Sequence, residues 1–313
     1  MPMLEGVIKG IASYIPGVDK AYLKIFGTGP KVSAQYYYSI WLKHLCICAK
    51  HHLPTRYEAI LELGPGDYLG VGLAALLSGT NKYYALDMVS FTDKKKNLKM
   101  FEELVELFQK RENLKPDLPH VVEFIDAHEF PHHILTDEYL KRTLDPKRIE
   151  AIRKALLNLN ADTREDIQMF YFVPWKEVKT IPLVDLAFSY RVMEHIDDLA
   201  YTYKSLCHWL KPGGMMSHEI DFQCHQTGKI WNEHWRYSDL LWKIMVGKRS
   251  YLLNREPHST HIKIFKDLGL DIATDLTCKE KQGIARKKLA PRFKQISDED
   301  LTTSVAFIQT IKK

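Results

Sequence analysis

The sequence predicts an α/β fold in which helices wind around both faces of a mostly parallel sheet. Two observations support this. The first is the run Ala59–Asp67, where a short apolar stretch and an acid precede two glycines separated by one residue. The second is the alternation of strand-like and helix-like segments on either side of that run, which is the order of elements in doubly wound sheets.

The apolar run Ile60–Leu63 predicts a buried strand, and Gly64-Pro65-Gly66 predicts a tight turn with exposed backbone. The apolar spacing within Leu69–Leu77 predicts the helix that follows. Lys82–Asp87 predicts a second strand that ends in an acid about 20 residues after the glycines. These elements form half of a nucleotide-binding βαβ unit, in which such an acid usually holds ribose hydroxyls.

Further elements extend this unit in both directions. Apolar stripes in residues 1–50 predict helices that would cover a ligand or form a homodimer interface, and residues 93–160 interrupt the alternation as an insertion. We therefore predict an N-terminal helical cap at 1–54 and one domain at 55–313, with helical insertions at about 93–160 and 226–260. The remaining predicted strands are Ile167–Val173, Val184–Ser189, Met215–Ile220, Asp271–Thr274 and Thr302–Ile311.

Composition and charge disfavour several function classes. A hydrophobic content of 45% and a charged content of 27% are ordinary for a soluble globular protein. The longest apolar runs fall short of a membrane span, and the N-terminus lacks the pattern of a secretory signal. Five cysteines without a two-residue gap predict reduced thiols in the cytoplasm. A net charge of +5 that is not gathered on one basic face disfavours nucleic acid as a partner.

Four motifs resemble those of class I S-adenosylmethionine-dependent methyltransferases, in matching order and at similar spacing. The resemblance covers roughly residues 55–225 and the C-terminal strands, and it implies a seven-stranded Rossmann-like sheet with an antiparallel last strand. It also implies S-adenosyl-L-methionine as the cofactor. At Tyr68 the chain departs from the small residue that the family often carries there. The motifs are Glu62-Leu63-Gly64-Pro65-Gly66-Asp67, Asp87, Val184–Ser189 with Val192-Met193-Glu194-His195, and Leu210-Lys211-Pro212-Gly213-Gly214.

The resemblance implies which residues contact the cofactor. The backbone of the glycine turn approaches it, and Asp87 accepts hydrogen bonds from its ribose, because a carboxylate offers acceptors on two oxygens. Glu62 lies near its amino-acid part, and the segments after the third and fourth strands lie beside it. A tight structural turn, a surface carboxylate and a core tryptophan are the alternatives. The predicted cofactor residues are Glu62, Gly64, Pro65, Gly66, Asp87, Val173, Pro174, Trp175, Ser189, Tyr190 and Arg191.

The cofactor's sulfonium is already an activated electrophile, so the protein has to align the acceptor and, for a hydroxyl, remove its proton. Imidazole suits that task because it titrates near neutrality. The predicted catalytic residues are His195, His218, Asp221 and His225, and we expect no metal among them. His218 and Asp221 point to opposite faces of a strand, so not all four can converge.

The region from Trp231 to His261 mixes aromatic and hydrogen-bonding side chains, which suits a polyhydroxylated or aromatic acceptor. Arg236, Tyr237, Asn254 and Arg255 are the residues predicted to bind it. A helical subdomain that only packs on the sheet is the alternative.

The sequence therefore predicts methyl transfer from S-adenosyl-L-methionine to a small-molecule or saccharide acceptor, most simply at oxygen. A nucleic-acid methyltransferase is disfavoured, because Ser189-Tyr190-Arg191-Val192 stands where amino-methylating members carry an Asn/Asp-Pro-Pro-aromatic motif. A cofactor-binding protein that has lost catalysis and acts as a partner through its cap is the third hypothesis. The sequence leaves the acceptor atom open.

Overall fold

A computed structural model describes residues 2–18, 33–90, 92–115, 123–161, 165–225, 227–249 and 252–313. Within these ranges, seven strands form one sheet of order β3-β2-β1-β4-β5-β7-β6. The strands are β1 (Ala59–Leu63), β2 (Lys82–Leu86), β3 (Gln168–Phe172), β4 (Val184–Tyr190), β5 (Leu210–Asp221), β6 (Asp271–Lys279) and β7 (Thr303–Ile311). The helices are α1 (Pro2–Ala12), α2 (Ala34–Lys50), α3 (Gly70–Leu77), α4 (Lys94–Lys110), α5 (Asp137–Thr143), α6 (Pro146–Leu157), α7 (Leu199–Trp209), α8 (Asp239–Val246), α9 (His258–Asp267) and α10 (Asp298–Thr302).

The sheet is parallel around β1 and antiparallel at its β7 side. β1 pairs parallel with both β2 and β4, and β2 pairs parallel with β3. β7 runs against β5, because the Gly213 amide donates to the Lys312 carbonyl and the Phe222 amide donates to the Ser304 carbonyl. The predicted doubly wound, mostly parallel sheet with an antiparallel last strand is confirmed.

The chain divides into two compact units. One, which we call the turn unit, comprises Gly29–Tyr190, Leu206–Ser217 and Ile311–Lys313; the other, the histidine unit, comprises Met1–Thr28, Arg191–Ser205 and His218–Thr310. α1 belongs to the histidine unit and α2 to the turn unit, although the sequence grouped both in one cap. The predicted domain boundaries remain predictions.

In the turn unit, β1 is buried along its whole length and α3 is buried all round. Such continuous apolar segments suit a sheet that is covered on both faces. Two glycines let α3 pack this closely. A Cβ on Gly70 would lie 2.4 Å from the ring of Tyr37, and a Cβ on Gly72 would lie 2.1 Å from the ring of Tyr83.

Helices α4 to α6 form the described part of the predicted insertion. The apolar stripe of α4 is buried as its spacing predicts, with Phe101, Leu104 and Phe108 inaccessible to solvent. Side chains at the helix starts cap the free amides, since Asp93 accepts from the Lys96 amide and Asp145 accepts from the Lys147 amide. The basic run Lys94-Lys95-Lys96 is therefore the first turn of a capped helix.

In the histidine unit, α1 packs on α8 through its own glycines. A Cβ on Gly10 would lie 2.0 Å from the carbonyl oxygen of Ile244, so only glycine allows this approach. The hydroxyl of Ser13 accepts a hydrogen bond from the Lys248 amide at 2.8 Å. In the described ranges, no helix combines the length and apolar character that crossing a membrane requires.

Candidate active site

The predicted glycine turn is present between β1 and α3. Gly64 and Gly66 have φ values of +72° and +70°, in the left-handed region that glycine adopts without strain. The Gly64 amide donates to the Leu86 carbonyl at 2.8 Å. The Gly66 amide donates to a carboxylate oxygen of Asp87 at 3.3 Å. Pro65 is buried between the glycines. The two hydrogen bonds fix the turn to the end of β2.

Asp87 follows β2 directly, and its side chain is half-buried. Its Oδ1 accepts from the Met88 amide at 2.7 Å, while its Oδ2 accepts the bond from Gly66. Burial raises the pKa of Asp87 to about 6, although the amides of Met88 and Gly66 favour the charged form. Each carboxylate oxygen has two lone pairs, so Asp87 keeps capacity to accept further hydrogen bonds from a pair of hydroxyls.

The segment after β3 lies against Asp87. The Trp175 amide donates to the Asp87 carbonyl at 2.8 Å, and the Asp87 amide donates to the Phe172 carbonyl at 3.1 Å. The Trp175 ring is only 1% exposed and meets Trp209 edge to face, with 6.4 Å between ring centroids. Trp175 therefore has no open face for stacking, and Val173 and Pro174 are the half-buried residues of this segment.

Glu62 is buried at the end of β1, where its carboxylate accepts a hydrogen bond from the Tyr83 hydroxyl. Burial raises its pKa to about 8, and the charge of Asp87 adds to the rise, while the bonds from Tyr83 and the Gly72 amide oppose it. The acid that precedes the glycines is therefore tied into the core of the turn unit. A contact with the cofactor remains a prediction.

Tyrosines from α2 lie beside the glycine turn, and the sequence analysis did not select them. The ring of Tyr37 lies 5.8 Å from that of Tyr68, and the ring of Tyr36 lies 6.0 Å from that of Tyr190. The Lys43 ammonium lies 5.0 Å from the centre of the Tyr190 ring. The run of three tyrosines at the start of α2 could have indicated this cluster, but only tertiary packing brings Tyr37 to Tyr68 and Tyr36 to Tyr190.

Beyond β4, the backbone changes direction at Arg191, which has a φ of +54°. The Nε of Arg191 lies 3.1 Å from Glu219, and an Nη lies 2.6 Å from Asp221. Both acids are buried and lie two residues apart, on one face of β5. Arg191 was predicted to contact the cofactor, but its guanidinium is committed to this ion pair, and Ser189 before it is buried.

Asp221 also lies beside an imidazole. The Nε2 of His225 is 3.0 Å from Oδ2 of Asp221, and the His225 side chain is 32% exposed. Burial alone would raise the pKa of Asp221, but the hydrogen bond from His225 and the charge of Arg191 hold it below its ordinary value. The ring of His195 lies 5.3 Å from that of His225. Three of the four predicted catalytic residues therefore come together.

Glu194 lies next to this group, on the 3₁₀ turn Met193–His195. Its side chain is buried, and neither carboxylate oxygen has a hydrogen-bond partner in the described part of the chain. Burial and the charge of Asp221 raise its pKa well above the ordinary value; the amides of Glu194 and Asp221 offset part of this rise without meeting hydrogen-bond geometry. Ligand atoms of Glu194, Asp221 and His225 all lie within 4.8 Å of one another.

His218 is the predicted catalytic residue that does not join them. It is buried in β5, 5.5 Å from the ring of Tyr203 and 6.4 Å from that of Phe265. Burial lowers its pKa to about 3. An imidazole that is enclosed by aromatic rings and neutral down to acidic pH is typical of a core position, and its role as a base remains a prediction.

Asn254 was predicted to bind the acceptor, but the structure engages its polar groups internally. Its side-chain amide donates to the carbonyls of Met193 at 2.7 Å and Ile196 at 2.9 Å. Its backbone amide donates to the Glu194 carbonyl at 2.7 Å. Asn254 therefore holds the turn that carries Glu194 and His195.

Two more of the predicted acceptor residues are also part of the framework. Arg255 is buried, donates to the Tyr237 carbonyl at 2.7 Å and pairs with Asp239 at 2.6 Å. The Tyr237 hydroxyl donates to the Thr227 carbonyl at 2.8 Å. Only Arg236, the fourth member of the set, has an exposed side chain.

No protein-family model and no curated protein matches the sequence. Among solved structures, the chain is similar to an S-adenosylmethionine-dependent methyltransferase from Mesorhizobium loti, at 13% identity and a TM-score of 0.41 over 85% of this chain and 96% of that one. It is also similar to the N-methyltransferase NodS from Bradyrhizobium japonicum with S-adenosyl-L-homocysteine, at 10% identity and a TM-score of 0.38 over 88% and 85%.

A third similar structure is the phosphoethanolamine N-methyltransferase 2 of Haemonchus contortus with S-adenosyl-L-methionine, at 14% identity and a TM-score of 0.42 over 87% of this chain and 52% of that one. Similarity at this level does not identify an activity.

Proposed function

We propose that this protein transfers the methyl group of S-adenosyl-L-methionine to an oxygen of a small-molecule or saccharide acceptor. The glycine turn bonded to Asp87 is the observation that carries the proposal. It combines a backbone without obstructing side chains and a carboxylate with spare acceptor capacity, at the ends of adjacent parallel strands. A ribose with two neighbouring hydroxyls matches that carboxylate, and Val173 and Pro174 offer an apolar edge for the adenine.

The cofactor supplies a methyl group that is already activated by the sulfonium. When bound, the cofactor would supply this methyl group to the acceptor oxygen, and its sulfur would leave as a neutral thioether. Gly64, Gly66 and Asp87 would hold the cofactor, and the chain must supply a group that takes the proton of the acceptor hydroxyl.

His225 is the proposed proton acceptor. Two histidines, His218 and His225, were predicted as candidates at the end of β5. Of these, His225 is partly exposed and pairs with a carboxylate. Asp221 orients the ring and stabilises the imidazolium that forms, as a carboxylate does beside a catalytic histidine. Arg191 in turn fixes Asp221. A hydroxyl needs such a base more than a neutral amine does, which favours oxygen as the methylated atom.

The proposal includes a cytoplasmic location, since all five cysteines are free thiols.

It also includes a homodimer through the N-terminal region. α1 presents the apolar side chains of Leu4, Ile8 and Ile11 to solvent at helical spacing, and Ile15, just after the helix, is also exposed. An exposed apolar stripe of this kind is typical of a surface that associates.

Cofactor binding and product analysis test the proposal. The protein is titrated with S-adenosyl-L-methionine by calorimetry and then incubated with methyl-labelled cofactor and panels of saccharides, small phenols and alcohols, amines, DNA and RNA. We expect micromolar binding and label in a hydroxyl-bearing small molecule. Absence of binding would refute the proposal. Label only in nucleic acid would favour the second hypothesis, and binding without any turnover would favour a non-catalytic partner.

A further inference from the structure

We infer that Glu194, Asp221 and His225 form a binding site for one divalent transition-metal cation. This inference goes beyond methyl transfer and does not depend on it. The three side chains bring two carboxylates and one imidazole together, with ligand atoms within 4.8 Å of one another. They are the only such group of three in the part of the chain that the structure describes.

The second observation is the state of Glu194. Its carboxyl group is buried, directed at Asp221 and His225, and both of its oxygens are without a hydrogen-bond partner in the described ranges. Leaving a buried polar group unsatisfied costs about 1–3 kcal/mol, so such a group is rarely kept without a function. The His225–Asp221 pair alone gives Glu194 no role, whereas a shared cation gives all three side chains a partner.

The charges around the group also favour a cation. Three carboxylates, those of Glu194, Glu219 and Asp221, are buried near one another, and Arg191 is the guanidinium that pairs with two of them. With Glu194 ionised as a ligand, the single guanidinium leaves two negative charges, which a divalent ion would compensate. Arg191 would then be the outer partner that hydrogen-bonds to the carboxylate ligand Asp221, and ligating carboxylates usually have such a partner.

The geometry needs only small side-chain movements. Oxygen and nitrogen ligands lie about 2.0–2.2 Å from a zinc-like ion, which places any two of them at most about 4.4 Å apart. A mixed set of two carboxylates and one imidazole suits Mn²⁺, Fe²⁺ or Zn²⁺ more than Ca²⁺. Nε2 of His225, which pairs with Asp221, would be the nitrogen ligand, so the ion and the acceptor's proton would compete for this imidazole.

The backbone around Glu194 supports a fixed ligand position. Asn254 bonds to the carbonyls of Met193, Glu194 and Ile196, so it holds the whole 3₁₀ turn. Asp221 is fixed by Arg191 and by the Gln223 amide, which donates to it at 2.9 Å. Only His225 is partly exposed, which leaves a route for the ion to enter from solvent.

Mn²⁺ binding to the full chain tests the inference, without cofactor or acceptor, so the outcome is independent of methyl transfer. The protein is stripped with chelator and titrated with Mn²⁺ under electron paramagnetic resonance and calorimetry. We expect one bound Mn²⁺ per chain and a higher midpoint of thermal unfolding with the ion. Glu194→Gln, which keeps shape and loses charge, should weaken binding at least tenfold and abolish the thermal shift.

Asp275→Asn is the matched control. His258 and Asp275 form another close imidazole–carboxylate pair of the histidine unit, at 2.8 Å, but no third metal-binding side chain joins them among the described residues. This variant should bind Mn²⁺ as the unmodified protein does. If Glu194→Gln does not fold, His225→Gln takes its place, since its side chain is partly exposed. No bound Mn²⁺, or equal affinity in the unmodified protein and the Glu194→Gln or His225→Gln variant, would overturn the inference.

Discussion

Asp87 is the residue on which the cofactor proposal depends most. Replacing it with asparagine keeps the shape but removes the charge that ribose hydroxyls would bond. We expect Asp87→Asn to weaken the binding of S-adenosyl-L-methionine by about 1.5–3 kcal/mol, the size of a hydrogen bond to a charged group. Calorimetry measures this, with Glu103→Gln, an exposed carboxylate on α4, as the control. Unchanged affinity in Asp87→Asn would mean that the ribose lies elsewhere.

The pKa of Asp87 adds a pH dependence to the same interaction. Because burial raises that pKa to about 6, the carboxylate gains a proton as the pH falls below 6 and loses acceptor capacity. Cofactor affinity should therefore be highest at pH 7 and above, and should decline from pH 7 to pH 5. The Asp87→Asn variant should lack this decline, and calorimetry over that range compares the two.

His225 and His218 should differ sharply when each is replaced by glutamine. His225→Gln removes the proposed base, and general-base catalysis typically contributes about 10²–10⁴-fold, so turnover should fall by that factor while cofactor affinity holds. His218→Gln changes a core residue and should leave turnover per folded molecule nearly unchanged. Steady-state kinetics on the acceptor identified by product analysis measures both. A larger loss of turnover in His218→Gln would reverse the assignment.

His218 also predicts how stability depends on pH. Its pKa is about 3 when folded, against the ordinary histidine value of 6.5, so the unfolded chain binds the proton first on acidification. This group then lowers the free energy of unfolding by about 1 kcal/mol for each unit by which the pH falls between 6.5 and 3. Urea unfolding at pH 6, 5 and 4 should show a slope that is shallower by that amount in His218→Gln. Parallel slopes would contradict the burial argument.

Side-chain partners mark the limit of what the sequence could predict at the residue scale. The glycine turn and Asp87 follow from local spacing, and both are found where they were expected. The partners of Arg191 and Asn254 depend on residues tens of positions away, so nothing local indicated that their polar groups were already engaged. The sequence could not decide whether Trp175 lies beside the cofactor or in the core, because only its packing on Trp209 determines whether a ring face is open.

At the scale of elements, α3 depends on two glycines that the helix period alone would not require. Gly72→Ala should destabilise the protein by about 1–3 kcal/mol, because its Cβ would meet the Tyr83 ring in a packed core. This should outweigh the gain in helix propensity that alanine brings. Tyr83→Leu should relieve the clash, so the double variant should lose less stability than the sum of the single variants. Additive losses would show that the two sites are not coupled.

The strands were predicted within a residue or two, except at the start of β5 and at the end of β6, which continues to Lys279 instead of ending at Thr274. The sequence predicted that β5 begins at Met215, after the motif Leu210–Gly214 with its proline and glycines. The structure extends β5 back to Leu210, since the backbone of Gly213 and Gly214 bonds to Lys312. A pairing that spans about a hundred residues leaves no local pattern, and a local rule therefore gave the wrong element there.

At the scale of the whole molecule, the proposed homodimer depends on the exposed face of α1. Ile8→Lys with Ile11→Lys places charge on that face without touching the glycines that pack on α8. Light scattering behind size-exclusion chromatography should show a dimer for the unmodified protein and a monomer for this variant. Replacing Lys94 and Lys95 with glutamine, on exposed positions of α4, is the control. A monomer in every case would refute the homodimer.

Neither compact unit is a continuous piece of chain, and β5 passes from one to the other between Ser217 and His218. The turn unit includes Ile311–Lys313, where Lys312 bonds to Gly213 and Gly214 and its ammonium donates to the carbonyls of Cys207 and Leu210. During synthesis, the unit proposed to hold the cofactor therefore lacks these contacts until residue 312 has left the ribosome. A chain shortened before residue 311 should consequently bind cofactor poorly, although every residue proposed to contact that cofactor lies more than a hundred positions upstream.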